Sequence, residues 1–163
     1  MLDQVQRLVQ HEAGEAGVRL IAQDAAGIEV RAHRVQIAQV LVNLLTNAIE
    51  AFAQADPATL PLPNDRQVRM TLSREAGQLT LGVVDNGPGV AQGVQLFTQF
   101  ETTKPDGLGL GLSICRSIVQ ANGGKLWHEP VPDGGAAFYL TLPLAEADGT
   151  DGDDAETAKE SPE

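Results

Sequence analysis

Residues 34–52 place the strongest constraint on how this chain can fold. Val35, Ile37, Ala38, Val40, Leu41, Leu44, Leu45, Ala48 and Ile49 recur at helical spacing, which predicts a helix too apolar to stand alone in water. Such a helix needs a sheet or other helices over most of its surface. Gln39, Asn43 and Asn47 nevertheless run through it at i, i+4 and i+8, forming one polar stripe. Asparagine is a poor residue inside a helix, and a buried amide destabilises unless it finds hydrogen-bond partners. The stripe has two readings: a solvated helix face, or a row of amide oxygens offered to a hard cation.

The rest of the chain supplies partners for that helix. Residues 2–10 place Leu2, Val5, Leu8 and Val9 on one helical face, ended by Gly17. Residues 18–22 and 28–32 read as two short strands around a turn at 24–27. Pro57, Pro61, Pro63 and Asn64 mark an exposed loop. Residues 68–73 and 79–84 read as one hairpin, and 125–129 with 136–142 as a second whose loop is Pro132-Asp133-Gly134-Gly135. Between the hairpins lie a glycine-rich irregular stretch, 85–111, and a helix at 112–120. This mixed order predicts an α+β fold, a two-layer α/β sandwich with helices on one face of a mixed, mostly antiparallel sheet.

Charge and composition narrow the class. The net charge is −11, and residues 145–163 hold eight acids against one base. That segment has almost no large apolar side chains, so it reads as an acidic disordered tail. No basic footprint for nucleic acid is present. No uninterrupted apolar run reaches the roughly 18–20 residues of a membrane span, and the first ten residues lack the pattern of a signal peptide. A single cysteine, Cys115, excludes an internal disulfide framework. The expected setting is cytoplasmic, or the cytoplasmic portion of a membrane-bound sensor, with no membrane contact from this segment.

Two glycine motifs accompany the asparagines. Asp85-Asn86-Gly87-Pro88-Gly89 ends the apolar strand at 79–84, leaving a carboxylate where backbone comes close; alone it reads equally as a tight turn. Gly107-Leu108-Gly109-Leu110-Gly111-Leu112 leads into a helix, where backbone N–H groups converge on an anion. It lacks the Gly-Lys-Ser/Thr of a P-loop and the preceding strand of a dinucleotide fingerprint. Taken in order, Asn43-x-x-x-Asn47-Ala48, Asp85-x-Gly87-x-Gly89, Phe97-x-x-Phe100 and Gly107-x-Gly109-x-Gly111 resemble the asparagine, first glycine, phenylalanine and second glycine boxes of the sensor histidine kinase ATP-binding domain. That domain belongs to the gyrase, Hsp90, histidine kinase and MutL superfamily. The resemblance runs from about Val18 to Pro143. Thr102-Thr103-Lys104-Pro105 and Ala121-Asn122-Gly123-Gly124 look most like the short-lid nitrogen-regulation and oxygen-sensing kinases.

The resemblance implies a Bergerat-type fold holding ATP and Mg²⁺. Asp85 would accept a hydrogen bond from the adenine amino group, with Gly87 and Gly89 admitting the base. Asn47 would offer its oxygen to Mg²⁺, with Asn43 beside the phosphates. Gly107, Leu108, Gly109, Leu110, Gly111 and Leu112 would close over them, and Lys104 could meet the γ-phosphate. In hydrolysing relatives the position of Asn43 is a glutamate that activates water. An amide takes no proton near neutral pH, so the expected reaction is transfer to a histidine rather than hydrolysis. Glu50 stands where many kinases carry a base. The acceptor box is not matched by His11-Glu12, and His33 and His128 are expected to be structural or surface residues.

The phosphoacceptor is therefore expected on a separate dimerisation domain of the same kinase, with a response-regulator receiver domain next in the relay. Residues 1–16 would then be the end of an upstream dimerisation helix or linker, 17–144 the catalytic domain, a monomer on its own, and 145–163 the tail. Phe97 is read as a hydrophobic anchor of the lid, with Phe100 left open between anchor and docking surface, Cys115 as a buried small hydrophobe and Trp127 as core. An anti-sigma-type serine kinase shares these boxes, and a non-catalytic nucleotide-binding regulatory module is the alternative outside enzymes.

Overall fold

The computed structural model describes residues 1–91, 93–98 and 111–145. Three helices and five strands follow in the order α1 (Leu2–Glu15), β1 (Arg19–Ala22), α2 (Arg34–Gln54), β2 (Gln67–Glu75), β3 (Gln78–Asp85), α3 (Gly111–Ala121), β4 (Leu126–Pro130) and β5 (Ala136–Pro143). Two single 3₁₀ turns, Pro57–Thr59 and Pro63–Asp65, occupy the proline-rich loop. The sheet runs β1-β2-β3-β5-β4. β1 and β2 are parallel, joined by the crossover through α2 that parallel pairing requires. The other pairs are antiparallel.

All three helices lie against one face of this sheet. Val68 and Met70 of β2, Leu81 and Val83 of β3, Leu126 of β4, and Leu140 and Leu142 of β5 share one core with Ile37, Leu41, Leu44 and Leu45 of α2. Eight residues of α2 are buried. By length and hydropathy α2 would pass as a membrane span, but here most of its apolar residues pack in the core, Val35 at its start excepted.

α1 runs five residues further than the helical spacing over residues 2–10 predicts, and its buried stripe is Leu2, Val5, Val9 and Ala13. Leu8 is not part of it and is 63% exposed. The stripe joins the same core as α2 and the sheet, so packing draws no boundary between residues 16 and 17.

Two sequence expectations fail here. Residues 28–32 form no strand and make only one bridge, Val30 to Leu144. β1 already pairs with β2, and this segment meets the sheet only at the trailing end of β5, through Arg31 N–H to the Pro143 carbonyl (2.9 Å). Trp127 is not core. β4 turns Leu126 and His128 toward the helices, which sends Trp127 to the open face, where it stacks on Tyr139 at 5.5 Å and donates to Glu129 Oε1 at 2.7 Å.

The β2–β3 hairpin closes through Ala76 (φ 49°) and Gly77 (φ 76°), the two left-handed residues of a type I′ turn. Alanine at such a position is strained by about 1–2 kcal/mol. Ala76→Asn is expected to raise stability by about 0.5–1 kcal/mol, read as a shift in the denaturant midpoint; a lower midpoint would contradict this turn.

Candidate functional site

Asp85 ends β3, a central strand, and is 5% exposed. Its Oδ1 accepts from the N–H of Gly87 at 2.9 Å and of Ala136 at 3.2 Å. Burial is the larger influence on this carboxyl and raises its pKa, while the two backbone donors pull it down. The turn after it is built tightly: a Cβ on Gly87 would stand 3.0 Å from Asp85 Oδ1 and 3.4 Å from the Phe52 ring at the end of α2. Asn86 fastens the turn to β2, accepting from Gln67 N–H at 2.9 Å and donating to the Asp65 carbonyl at 2.8 Å.

One support of this carboxylate was not recognised in the sequence. Gly135 has φ +101°, and a Cβ there would collide with the Asp85 carbonyl. A Cβ on Gly89 would in turn come within 2.9 Å of the Gly135 carbonyl. The loop between β4 and β5 is therefore a wall of the site, and its next residue, Ala136, supplies an N–H to the carboxylate. Two adjacent glycines were the only signal, and an ordinary turn accounts for them equally well.

On α2, Asn47 Nδ2 donates to Asn43 Oδ1 at 3.1 Å. A Cβ on Gly111 would stand 3.0 Å from Asn43 Nδ2, so the start of α3 lies against the asparagine pair. Both asparagines are half-buried, whereas Gln39 is exposed and solvated. The stripe thus divides: its upper end is a surface residue and its lower two amides belong to a packed polar cluster. Among the described residues no three His, Cys, Asp or Glu side chains gather as metal ligands.

Sequence and fold both place the chain among known proteins. Residues 32–146 match the family described as histidine kinase-, DNA gyrase B-, and HSP90-like ATPase. The C4-dicarboxylate transport sensor protein DctS of Rhodobacter capsulatus is 45% identical over 117 residues, 71% of this chain and 17% of DctS. Sensor protein FixL of Bradyrhizobium diazoefficiens is 45% identical over 119 residues, 72% of this chain and 22% of FixL. The catalytic domain of histidine kinase ThkA superposes with a TM-score of 0.70 at 30% identity, over 86% of this chain and 88% of that one. ThkA is also known in complex with the response regulator protein TrrA, at TM-score 0.68 and 28% identity, over 88% of this chain and 39% of that one. The chain belongs to this family, as a sensor histidine kinase catalytic domain.

The kinase domain spans only a fraction of its curated relatives. Of its expected site residues, Asn43, Asn47, Asp85, Gly87, Gly89, Gly111 and Leu112 are described; Gly111 opens α3 and Leu112 packs half-buried on the core. Phe100, Lys104, Gly107, Leu108, Gly109 and Leu110 lie outside the described residues. Phe97 packs edge-on to Phe138 at 6.3 Å, beneath the Arg116 guanidinium at 5.5 Å. Cys115 is buried, and burial pushes its thiol up to about 11.

None of the histidines enters this cluster. His11 is exposed beside Glu15 on α1, and His33 precedes α2. His128 lies in β4 against Phe138; burial lowers its pKa, and Glu129 opposes this.

Gly135→Ala is expected to destabilise the domain by about 2 kcal/mol or more, because a strained φ and a backbone collision coincide; wild-type thermal stability would refute the wall. Asp85 carries a pH signature. Its raised pKa means the folded domain holds the proton more tightly than the unfolded chain, so stability falls as pH climbs from the ordinary carboxylate value through the raised one. Asp85→Asn is therefore expected to make the empty domain more stable than wild type at neutral pH. That advantage should fade as pH falls toward the ordinary carboxylate range, measured by denaturation at several pH values.

Proposed function

We propose that this domain binds Mg-ATP and transfers the γ-phosphoryl group to a histidine on a separate dimerisation domain of the same kinase, from which it passes to a response-regulator aspartate. The observation that carries the reading is the Asp85 carboxylate: buried, pinned through Oδ1 by two backbone N–H groups, and two residues from a glycine that brings backbone alongside it. A carboxylate held this way suits recognition of the adenine amino group, an N–H donor, and is ill suited to the carbonyl oxygen that guanine carries in the same place. Gly87 and Gly89 keep side chains out of the plane the base would occupy.

Asn47 and Asn43 suit the phosphate end. The donor end of the Asn47 amide is turned to Asn43, which orients its oxygen the other way, toward the role of a hard-cation ligand. A bound Mg²⁺ would neutralise phosphate charge. The donor chemistry fits: oxygen from an amide, with phosphates and water completing the shell, needs no cluster of acids. Gly111 next to Asn43 brings the end of the glycine stretch to the same place, so Gly107–Gly111 would close over the phosphates, with Lys104 meeting the γ-phosphate.

Asn43 also directs the outcome. Water attack requires a group that accepts its proton, and an amide does not. A histidine imidazole brings its own lone pair, so the bond from γ-phosphorus to the bridging oxygen breaks, a P–N bond forms and ADP leaves. Positioning and charge neutralisation are what such a transfer requires. The setting proposed for the domain is cytoplasmic or cytoplasm-facing.

Calorimetric titration of Mg-ATP with phosphate assayed in the same sample tests the reading. Binding with negligible phosphate release is expected, followed by label transfer once a histidine-bearing dimerisation domain is added. Asp85→Asn should weaken ATP by about 1–3 kcal/mol, and Asn47→Ala should abolish the magnesium dependence. Steady turnover would overturn the role of Asn43, and no binding would overturn the whole reading.

A further inference from the structure

The fully buried face of α3 is narrow. Among its residues only Cys115 and Val119 are fully buried, two small side chains, while Leu112 and Ile118 pack half-buried on the core. Ile114, one turn before Ile118, is 48% exposed. Apolar burial is non-directional and does not by itself fix one register.

A buried amide sits where sliding would be stopped. Asn122, just past α3, is 7% exposed and uses its whole side chain. Oδ1 accepts from His33 N–H at 2.7 Å; Nδ2 donates to Gln36 Oε1 at 3.0 Å and to the Ile118 carbonyl at 2.9 Å. Two partners belong to the head of α2 and one to α3 itself. The helix end beneath it is closed by Gly124 N–H to the Val119 carbonyl (2.9 Å) and Gly123 N–H to the Gln120 carbonyl (3.0 Å), a Schellman pair that fixes where Asn122 stands. The α2 head offers no cap of its own: the His33 side chain makes no capping bond.

The other end of α3 is Gly111, against Asn43. From 111 to 122 along α3 and from 33 to 43 along α2 are nearly equal spans, about 16 and 15 Å at 1.5 Å per residue. The helices run antiparallel, tied at one end by the Asn122 amide and meeting at the other at the asparagine pair. A slip of one residue, about 1.5 Å, would carry Gly111 off Asn43.

We propose that Asn122 is a positioning residue: it sets the register of α3 on α2 and so places the end of the glycine stretch against Asn43 and Asn47, at the phosphate end of the nucleotide site. This rests on the nucleotide reading above. Asn122 touches no ligand itself. The base end is held independently by Gly87, Gly135 and Ala136, none of which is on α3.

That separation supplies the test. The affinities of wild type and Asn122→Ala for Mg-ATP and for AMP are measured by calorimetry on the full chain, alongside thermal denaturation. AMP reports the base end, and the added phosphates report the end that α3 places. Asn122→Ala is expected to weaken ATP at least about fivefold, the scale of one lost buried hydrogen bond, and AMP less than about twofold. An equal loss for both ligands, with a lowered melting temperature, would overturn the proposal in favour of general loosening; unchanged affinities would overturn it as well. If Asn122→Ala does not fold, Gln36→Ala removes one exposed-side partner and is read the same way: a selective loss for ATP supports the proposal, and an unchanged ratio overturns it. Wild type that binds neither ligand would overturn the nucleotide reading, and this inference with it.

Discussion

Asp85 is an acid buried at the end of a central strand, and a buried ion is tolerated only where hydrogen bonds answer it. Much of the structure is arranged around that requirement. One donor, Gly87, comes from the turn that follows the strand. The other, Ala136, lies 51 residues away in sequence and arrives only because β3 and β5 pair in one register, with Val84 opposite Ala137. Gly135 makes the approach sterically possible. A shift of that register by one residue would point Ala136 to the other face of the sheet and leave the carboxylate half-answered.

The same economy appears in α2. Its apolar residues are the largest single contribution to the core, while Asn43 and Asn47 keep the one strip that faces the start of α3 polar. Each amide satisfies part of the other, so the strip can be packed without stranding a buried polar group. Phe52, at the far end, lies under Gly87. One helix therefore carries core residues, the Phe52 ring against the Asp85 turn and the asparagine pair, and a rotation of it would disturb all three.

On the proposed reading, the amide of Asn43 decides between water attack and transfer to another nucleophile. A carboxylate there would accept a proton from water; an amide only donates and accepts hydrogen bonds. On the proposed reading, the domain is a holder of activated phosphate that waits for a nucleophile brought to it. None of the described histidines lies at the site.

The sequence by itself determined the elements and the order of the polar motifs. Helical spacing in residues 34–52 and alternation in the hairpins are local patterns with periods of 3.6 and 2, and the order of Asn43, Asn47, Asp85, Gly87, Gly89 and Gly111 is read along the chain, all without knowing what lies opposite. Only the tertiary structure decided which backbone completes the Asp85 environment and which amide ties α3 to α2, because those contacts span 51 and 89 residues. It also decided that Trp127 faces outward and that residues 28–32, left without a neighbouring strand, make a single bridge. Glycine pairs at 123–124 and 134–135 look alike in sequence. What separates them is the atom each lies against, the Thr141 carbonyl for Gly124 and the Asp85 carbonyl for Gly135, and such close approaches exist only once the sheet is assembled.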